Sequence, residues 1–489
     1  MDKYAPDDLV KTCPKLESGL RFGPEGVRAC QLGPFAAPVY WSAREVASTK
    51  ITKEMIVAKR QQLFDALNDD ENQDIICKRC AMVEIRPYKE VKFTQLGRID
   101  HAPRTVCNLR CEFCGFTHAE KRGDLENAFV ESSYNSLTIL KLFAPEDVQW
   151  DAAVDFNGGE TSLIKNLKGY LDYFQEMKVS VLLFTNGVIF KQDIYDAITS
   201  GTIQWAVTSI DCGTPSTYKK TKNANVFGRV LNTVARYAEA GSKGKGKLAI
   251  KYIFTENNCS DDDIFGFVYA MLAIRPQRIW LTFDFTPFAE IPPDSDNFGR
   301  FNFDKQITAY AKMYLLFKQH GQDVVHYTEG HLAKISKPGR ILLQRVLDAT
   351  AEATKGKHDA RLILDDFRNP PEPNVARIIR AALNGQVVVD IERGEVFDLK
   401  NKRVILIPAT QKSIDLVSHP ALANSRIVGF LDKNPNLEGK TLRGHRVTPY
   451  ENAPEYDYAL ISPPSQHRQE IITTVCHHKP TAADVFVFD

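Results

Sequence analysis

Short apolar runs alternate with longer segments of helical length through the middle of the chain, between residues 96 and 300. Strands that alternate with helices predict parallel βα units. About six such repeats favour a partial (β/α)6 barrel over an open sheet. The strand candidates are Ala153–Phe156, Val179–Phe184, Trp205–Ile210, Leu248–Phe254 and Arg278–Phe283, and helices are predicted in Ser162–Met177 and Asn225–Ala240.

The flanking regions have other patterns and divide the rest of the chain into three parts. Residues 1–95 are irregular apart from a helix-like stretch at Thr52–Leu67, and they predict a small cysteine-rich domain. Residues 301–384 are mostly helical in pattern and contain the breaker Asn369–Asn374. Residues 385–489 alternate again and predict a second α/β domain. Its strand candidates are Val387–Asp390, Arg403–Ile407, Arg426–Leu431 and Asp457–Ser462.

The composition is that of a globular protein, with 43% hydrophobic and 25% charged residues among 489. Lys plus Arg number 62 against 61 for Asp plus Glu, so no overall field would draw the protein to nucleic acid or to an anionic membrane. The first residues, MDKYAPDDLV, lack the basic and apolar regions of a secretory signal, and no apolar run reaches the roughly 18 residues of a membrane helix. We therefore expect a cytoplasmic protein, in which ten cysteines favour metal binding or catalysis over disulfides.

Three of the cysteines lie close together in TVCNLRCEFCGF, with the spacing C-x3-C-x2-C at Cys107, Cys111 and Cys114. Three such thiolates can ligate three irons of one [4Fe–4S] cubane and leave the fourth iron without a protein ligand. Catalytic metal sites keep such a vacant position for a substrate. From the residues alone, zinc is the alternative, with His101 or His118 as a fourth ligand that closes the site.

This segment resembles the cluster motif of the radical S-adenosylmethionine (radical SAM) superfamily, with the aromatic Phe113 before the last cysteine. The sequence DFNGGE at Asp155–Glu160 is similar to the superfamily's GGE motif, which cradles the amino group of SAM. Two glycines let a backbone approach a ligand closely, and a carboxylate accepts hydrogen bonds from an ammonium group. Further polar clusters, FTNG and VTSID, also close strands, where the active site of a parallel barrel gathers.

The resemblance covers about residues 96–290 and implies both a mechanism and a set of contacts. An external one-electron donor such as flavodoxin or ferredoxin reduces the cluster, which cleaves the S–C5′ bond of SAM. The 5′-deoxyadenosyl radical then removes a hydrogen atom from the substrate, so the cofactor carries the difficult step. The residues expected at SAM are Phe113, Gly158, Gly159, Glu160, Asn186, Ser209 and Asp211.

Two further groups of cysteines are candidates for chemistry. Cys212 follows the fourth strand of the predicted barrel, and it either returns a hydrogen atom to a substrate radical or fills a tight turn before Gly213. Four cysteines that include a C-x2-C pair precede the barrel, and they suit a second Fe–S cluster, a zinc site or ordinary buried thiols. In radical SAM enzymes an auxiliary cluster more often follows the barrel. These four are Cys13, Cys30, Cys77 and Cys80.

Residues 403–464 resemble small Rossmann-like domains attached to sugar-nucleotide and polysaccharide-modifying enzymes, through VILIPAT, IVGFLDKNPNLEGKTLRGHRV and YDYALISPPS. The turn Pro408–Ser413 has none of the glycines that bring backbone amides to a pyrophosphate. We therefore expect this domain to dock a substrate, a partner or another subunit in preference to NAD.

The leading hypothesis is a radical SAM enzyme that acts on a small molecule, with a sugar or sugar nucleotide as the favoured class of substrate. Modification of a peptide or protein is the alternative within enzymes. The rival class is a non-catalytic Fe–S or zinc protein that serves electron transfer or scaffolding. DFNGGE separates the two classes, because a scaffold has no use for a cradle that binds the SAM amine.

Overall fold

The structure is a computed structural model that describes residues 3–30, 37–69, 71, 75–80, 82–124, 128–284, 286–326, 336–355, 388–390, 395–397, 399, 401–418, 422, 424–461 and 485–487. Its strands are β1 (Leu9–Thr12), β2 (Gly19–Gly23), β3 (Gly26–Arg28), β4 (Val39–Ser42), β5 (Glu84–Pro87), β6 (Leu96–His101), β7 (Val148–Phe156), β8 (Ser180–Thr185), β9 (Ile203–Ser209), β10 (Lys247–Phe254), β11 (Arg278–Phe283), β12 (Val324–His326), β13 (Val388–Asp390), β14 (Glu395–Phe397), β15 (Arg403–Ile407), β16 (Arg426–Leu431), β17 (Thr441–Leu442), β18 (His445–Thr448), β19 (Tyr458–Ile461) and β20 (Val485–Val487). Its helices are α1 (Pro14–Ser18), α2 (Ala43–Ser48), α3 (Lys53–Leu67), α4 (Gly115–Lys121), α5 (Ser136–Leu140), α6 (Leu167–Glu176), α7 (Gln192–Ser200), α8 (Pro215–Lys222), α9 (Phe227–Lys243), α10 (Asp261–Ile274), α11 (Asp304–Gln319), α12 (Lys337–Lys355) and α13 (Gln411–Leu416).

A ten-stranded sheet forms the centre of the molecule, in the order β12-β11-β10-β9-β8-β7-β6-β2-β3-β4. Each pair of neighbours from β12 to β2 is parallel, and β3 and β4 complete the sheet as antiparallel strands. The strands β6 to β11, with helices between them, confirm the α/β class and the partial barrel. In the described part of the chain no pairing between β12 and β4 closes the sheet.

The amino-terminal region contributes strands to this same sheet. β2 pairs with β6 in parallel, with Leu20 opposite Ile99, so the boundary predicted at residue 95 does not separate two sheets. The helix predicted at Thr52–Leu67 is confirmed as α3, where the Thr52 side chain accepts a hydrogen bond from the Met55 amide as N-cap. The apolar face of α3 packs into the main core through Ile56 and Phe64.

The two faces of the sheet differ in chemistry because side chains alternate along a strand. One face carries Val154 and Ile250 into the main hydrophobic core. The opposite face is more polar towards the carboxyl ends of its strands: Asp100 lies opposite Asp155 on β6 and β7. Further along the same face, Lys251 of β10 lies between Ser209 of β9 and Trp280 of β11. We call this second face the polar face.

The remaining elements follow the predicted order with some differences. α11 and α12 confirm the helical pattern after the barrel, but β12 between them adds a further strand to the central sheet. The strands predicted at Arg403–Ile407 and Arg426–Leu431 are β15 and β16, within a six-stranded sheet of order β17-β18-β16-β15-β19-β20. β13 pairs with β14 in a separate antiparallel ribbon. The breaker Asn369–Asn374 lies outside the described residues.

Among the helices whose residues are described, none combines the length and the apolar character needed to cross a membrane.

Candidate functional site

The three clustered cysteines lie on the loop that leaves the carboxyl end of β6 and enters α4. All three thiols are free and partly exposed. The loop is tight, because the Cys114 amide donates to the Cys111 carbonyl at 3.1 Å and the Leu109 amide donates to Cys107 Sγ at 3.4 Å. Burial raises the pKa of the Cys111 thiol to about 11, against the lowering effect of the nearby Lys222 ammonium. We call residues 104–114 the cluster loop.

The double glycine of DFNGGE holds the cluster loop against the end of β7. A Cβ atom on Gly158, whose φ is +111°, would lie 2.4 Å from the Arg104 carbonyl oxygen, and one on Gly159 would lie 2.1 Å from the Val106 carbonyl oxygen. The Gly159 amide donates to that Arg104 oxygen at 3.0 Å, and the Glu160 amide donates to that Val106 oxygen at 2.8 Å. The close approach that these glycines permit in this structure is therefore to the cluster loop itself.

The Glu160 carboxylate is buried and joins the ends of β7 and β8. Its Oε1 accepts from the Ser162 amide at 2.8 Å and from Thr185 Oγ1 at 2.6 Å, and its Oε2 accepts from the Asn186 amide at 2.6 Å. A carboxylate offers about four acceptor positions, so these three bonds leave room for one more donor such as an ammonium group. The role of Glu160 at the SAM amine stays a prediction that this geometry permits.

Asn186, at the exit of β8, positions the first cysteine. Its Nδ2 donates to Asn108 Oδ1 at 2.7 Å and to Cys107 Sγ at 3.6 Å, while its Oδ1 accepts from the Val188 amide. Sequence reasoning missed Asn108, because a lone asparagine between two motif positions has no distinguishing pattern. The pair of asparagines ties the cluster loop to the carboxyl end of β8.

A fully buried ion pair lies beneath the cluster loop, between Lys222 Nζ and Asp211 Oδ2. Asp211 Oδ1 accepts from the Ile253 amide at 2.7 Å, so both carboxylate oxygens have partners within the protein. The Lys222 ammonium lies 4.8 Å from the centroid of the Phe113 ring. Burial opposes the charge on Lys222, but Asp211 and Cys111 raise its pKa above the ordinary value. Sequence reasoning missed Lys222, which sits in the basic run YKKTK that resembles a solvated helix face.

The exit of β10 also holds the cluster loop, through Glu112. Its carboxylate accepts from Thr255 Oγ1 at 3.1 Å and from Asn257 Nδ2 at 2.8 Å, and its amide donates to the Thr221 carbonyl at 2.8 Å. The cluster loop is therefore fixed to the carboxyl ends of β7, β8 and β10 and to the end of α8. Of the other residues expected at SAM, Phe113 lies on the cluster loop and Ser209 is the last residue of β9.

Cys212 belongs to the hydrophobic core and is fully buried, and burial raises the pKa of its thiol well above the ordinary value. This burial favours the second of the two predicted roles, in which Cys212 fills the turn before Gly213, and its part in the reaction stays a prediction. The turn that follows is tight, because a Cβ atom on Gly213 would lie 2.0 Å from the Asp263 carbonyl oxygen.

The geometry does not support the zinc site with His101. His101 is fully buried, its Nε2 lies 2.8 Å from Ser136 Oγ, and its ring stacks on Phe156 with centroids 4.4 Å apart. Burial lowers the pKa of His101 to about 3. Among the described residues, no three His, Cys, Asp or Glu side chains are arranged to hold one metal ion. Each thiolate of a cubane binds its own iron, so three free thiols on one loop, with a cation beside them, fit a [4Fe–4S] cluster better.

The four amino-terminal cysteines are brought together at a different place. Cys13 caps α1, Cys30 follows β3, and Cys77 and Cys80 flank the short turn before β5. Electrostatic interactions connect Cys13 with Cys30 and Cys80, and Cys77 with the other three. None of these four cysteines forms a disulfide within the described residues, and all four are partly exposed.

Comparisons with known proteins find a protein family whose model matches the part of the chain that contains this site. A model of the radical SAM superfamily matches residues 103–268, a range that contains the whole cluster loop from residue 104. No curated protein matches the chain. Crystal structures of Streptococcus suis SuiB are similar at 16% identity and a TM-score of 0.34, one bound to precursor peptide SuiA over 46% of this chain and 48% of that chain, another bound to S-adenosylmethionine over 47% and 50%. The chain thus spans about half the length of these solved structures.

Proposed function

We propose, from the radical SAM domain that residues 103–268 form, that this enzyme cleaves SAM reductively and removes a hydrogen atom from a small anionic molecule such as a sugar nucleotide. The observation that carries the proposal is the attachment of a three-thiol loop to the carboxyl ends of β7, β8 and β10. When bound, the [4Fe–4S] cluster and SAM supply a one-electron cleavage that produces a hydrogen-abstracting radical.

The chain's own residues position these groups. Glu160 has one acceptor position free beside the cluster loop, which suits the SAM ammonium. Lys222 places a positive charge beside Cys111 and so favours the thiolate that binds iron. Asn186 holds Cys107, the first of the three ligands. Each of these side chains comes from a different strand exit or helix, so binding of the cluster depends on the assembled barrel.

The polar face supports an anionic, hydroxylated substrate. Lys251 makes no hydrogen bond or ion pair among the described residues, and burial lowers the pKa of its ammonium. Thr282, two residues beyond Trp280 on β11, has a buried hydroxyl that finds no partner among the described residues. An ammonium and a hydroxyl donor together suit a phosphate or carboxylate group. Asp100 and Asp155, across the same face, offer acceptors for hydroxyl groups of a sugar.

The proposed chemistry is tested by the formation of 5′-deoxyadenosine. Anaerobically reconstituted enzyme with dithionite and SAM should produce it, and Cys111→Ala should produce none, because the cubane loses one of its three ligands. Cys259→Ala is the matched control. Cys259 lies outside the cluster loop and its Sγ donates to the Thr255 carbonyl at 3.0 Å, while the Thr255 hydroxyl that binds Glu112 is left unchanged, so this variant should keep the activity. A fully loaded wild-type cluster that yields no 5′-deoxyadenosine rejects the function.

Lys251→Met should weaken binding of an anionic substrate. A hydrogen bond to a charged group contributes about 1.5–3 kcal/mol, so the Kd should rise roughly 10- to 100-fold. Wild-type binding should also weaken as the pH rises through the lowered pKa of Lys251, because the amine loses its charge. Calorimetry with UDP-glucose and glucose 1-phosphate measures both effects. SAM cleavage without substrate should be unchanged, and a wild-type enzyme that binds neither compound contradicts the substrate class.

A further inference from the structure

Three segments that are distant in sequence converge on the amino-terminal side of the central sheet. β1 and β5 are antiparallel with Thr12 opposite Glu84, so Cys13, directly after β1, emerges at the same end as the Cys77–Cys80 turn that precedes β5. β3 runs back along β2 and brings Cys30 towards the start of β2. The approach there is close, because a Cβ atom on Gly19 would lie 2.9 Å from the Ala29 carbonyl oxygen. We call Cys13, Cys30, Cys77 and Cys80 the second cysteine group.

A buried hydroxyl without a partner points to this group. Tyr40 is 5% exposed, and among the described residues its hydroxyl proton has no acceptor. Burial raises the pKa of Tyr40, the neighbouring Arg60 guanidinium lowers it, and the thiols of Cys30, Cys77 and Cys13 raise it further, so the hydroxyl lies beside Arg60 and within electrostatic reach of three of the four cysteines. A buried polar group that lacks a hydrogen bond is costly. The hydroxyl is therefore placed to donate to a group that the thiols bind.

A buried cation without an acidic partner lies beside the same tyrosine. Arg60 is fully buried and donates to the carbonyls of Phe93 and Gln95, each at 2.7 Å, and of Gly19 at 3.0 Å. Among the described residues no carboxylate pairs with Arg60, its Nε has no partner, and burial lowers its pKa to about 10. A charge removed from water is costly unless an opposite charge compensates it. The environment is therefore built for an anionic group.

We infer that the second cysteine group binds a second [4Fe–4S] cluster, which relays electrons to the cluster at Cys107, Cys111 and Cys114. Four thiolates ligate all four irons and leave no vacant position, so this cluster suits electron transfer and not substrate binding. A cubane with four thiolates is anionic and compensates Arg60, while Tyr40 donates to one of its sulfurs.

A single zinc ion fits this group less well. Four thiolates around zinc would also be anionic, but they must all meet at one ion. Among the described residues no three of the thiols are arranged in that way.

The proposed relay conserves electrons. An external one-electron donor is oxidised as the second cluster changes from the 2+ to the 1+ state, and the second cluster returns to 2+ as it reduces the first cluster by one electron. The relay role rests on the proposed function, whereas the existence of the cluster does not.

The decisive variant removes the first cluster, with Cys107, Cys111 and Cys114 all changed to alanine. After anaerobic reconstitution this protein should hold about four irons and four sulfides per chain, against about eight of each in the wild type, and dithionite should produce the electron paramagnetic resonance signal of a reduced cubane. Adding Cys77→Ala should remove that iron, and adding Cys259→Ala should not. Because the triple variant cannot cleave SAM, the result is independent of the proposed function. Zinc in place of iron, or no metal in a folded triple variant, overturns the inference.

Tyr40→Phe and the electron source test the details of the inference. In the triple-variant background, Tyr40→Phe should keep the iron and make the reduction potential more negative, because hydrogen bonds to cluster sulfurs raise it. An unchanged reduction potential contradicts the placement of the hydroxyl.

The relay role is tested in the otherwise intact enzyme. There Cys77→Ala should lose most 5′-deoxyadenosine formation with reduced flavodoxin as the electron donor but keep it with dithionite. An equal loss with both reductants rejects the relay role.

Discussion

Gly159→Ala is expected to abolish 5′-deoxyadenosine formation and to remove most iron from the cluster at Cys107, Cys111 and Cys114. The added Cβ atom would stand 2.1 Å from the Val106 carbonyl oxygen and 2.3 Å from the Thr105 carbonyl carbon. Both are backbone atoms that no side-chain rotation can move aside, so the cluster loop must shift away from β7. Overpacking of this kind costs about 1–3 kcal/mol of folding free energy, so we expect the variant to fold. A shifted cluster loop, however, no longer holds its three thiols at the positions that the cluster needs.

Gly169→Ala in α6 is the matched control, because it makes the same chemical change within a helix. Its Cβ atom would meet only the end of the Asn166 side chain, at 2.6 Å, and that side chain can rotate away. Alanine also favours the helix over glycine. Iron content, visible absorbance and 5′-deoxyadenosine are measured for both variants, with circular dichroism to confirm folding. If Gly159→Ala retains its cluster and its activity, the glycine is not the clamp described above.

Lys222→Met should lower the free energy of unfolding by about 3–5 kcal/mol, because it leaves the Asp211 carboxylate buried without its cation. Only the Ile253 amide would then remain as a donor to that carboxylate. The Phe113 ring and the Cys111 thiol would also lose the positive charge beside them. We therefore expect a lower affinity for the cluster in addition to the lower stability. Urea unfolding followed by circular dichroism measures the stability change.

The double variant Asp211→Asn with Lys222→Met should regain part of the lost stability, because no unpaired charge remains buried. Asparagine is suited to position 211, whose φ of +60° lies in the left-handed region that it tolerates. Lys219→Met, on an exposed position of the same helix, is the control and should change the free energy of unfolding by less than about 0.5 kcal/mol. A Lys222→Met variant as stable as Lys219→Met would show that the pair has no structural importance.

Local patterns in the sequence were sufficient for the central strands β7 to β11 and for the class of chemistry. The runs at Leu248–Phe254 and Arg278–Phe283 lie within β10 and β11, because apolar content and strand length are properties of a few adjacent residues. The spacing of Cys107, Cys111 and Cys114 predicted a radical SAM domain for a similar reason, since the three cysteines lie on one short loop, and the family model matches residues 103–268.

Long-range contacts were decided only by the tertiary structure. The sequence GLRFG does not reveal that β2 pairs with β6, because a strand's partner is set by how all the strands of the sheet pack together. Lys222 looks like a solvated lysine until α8 places it against Asp211, and Arg60 looks like an interruption of a helix face until its burial beside Tyr40 is seen. By itself the sequence determined the central strands, the helix α3 and the three-cysteine loop. Which charges became buried, and which backbones the glycines allowed to meet, depended on residues far apart in the chain, whose proximity exists only in the folded state.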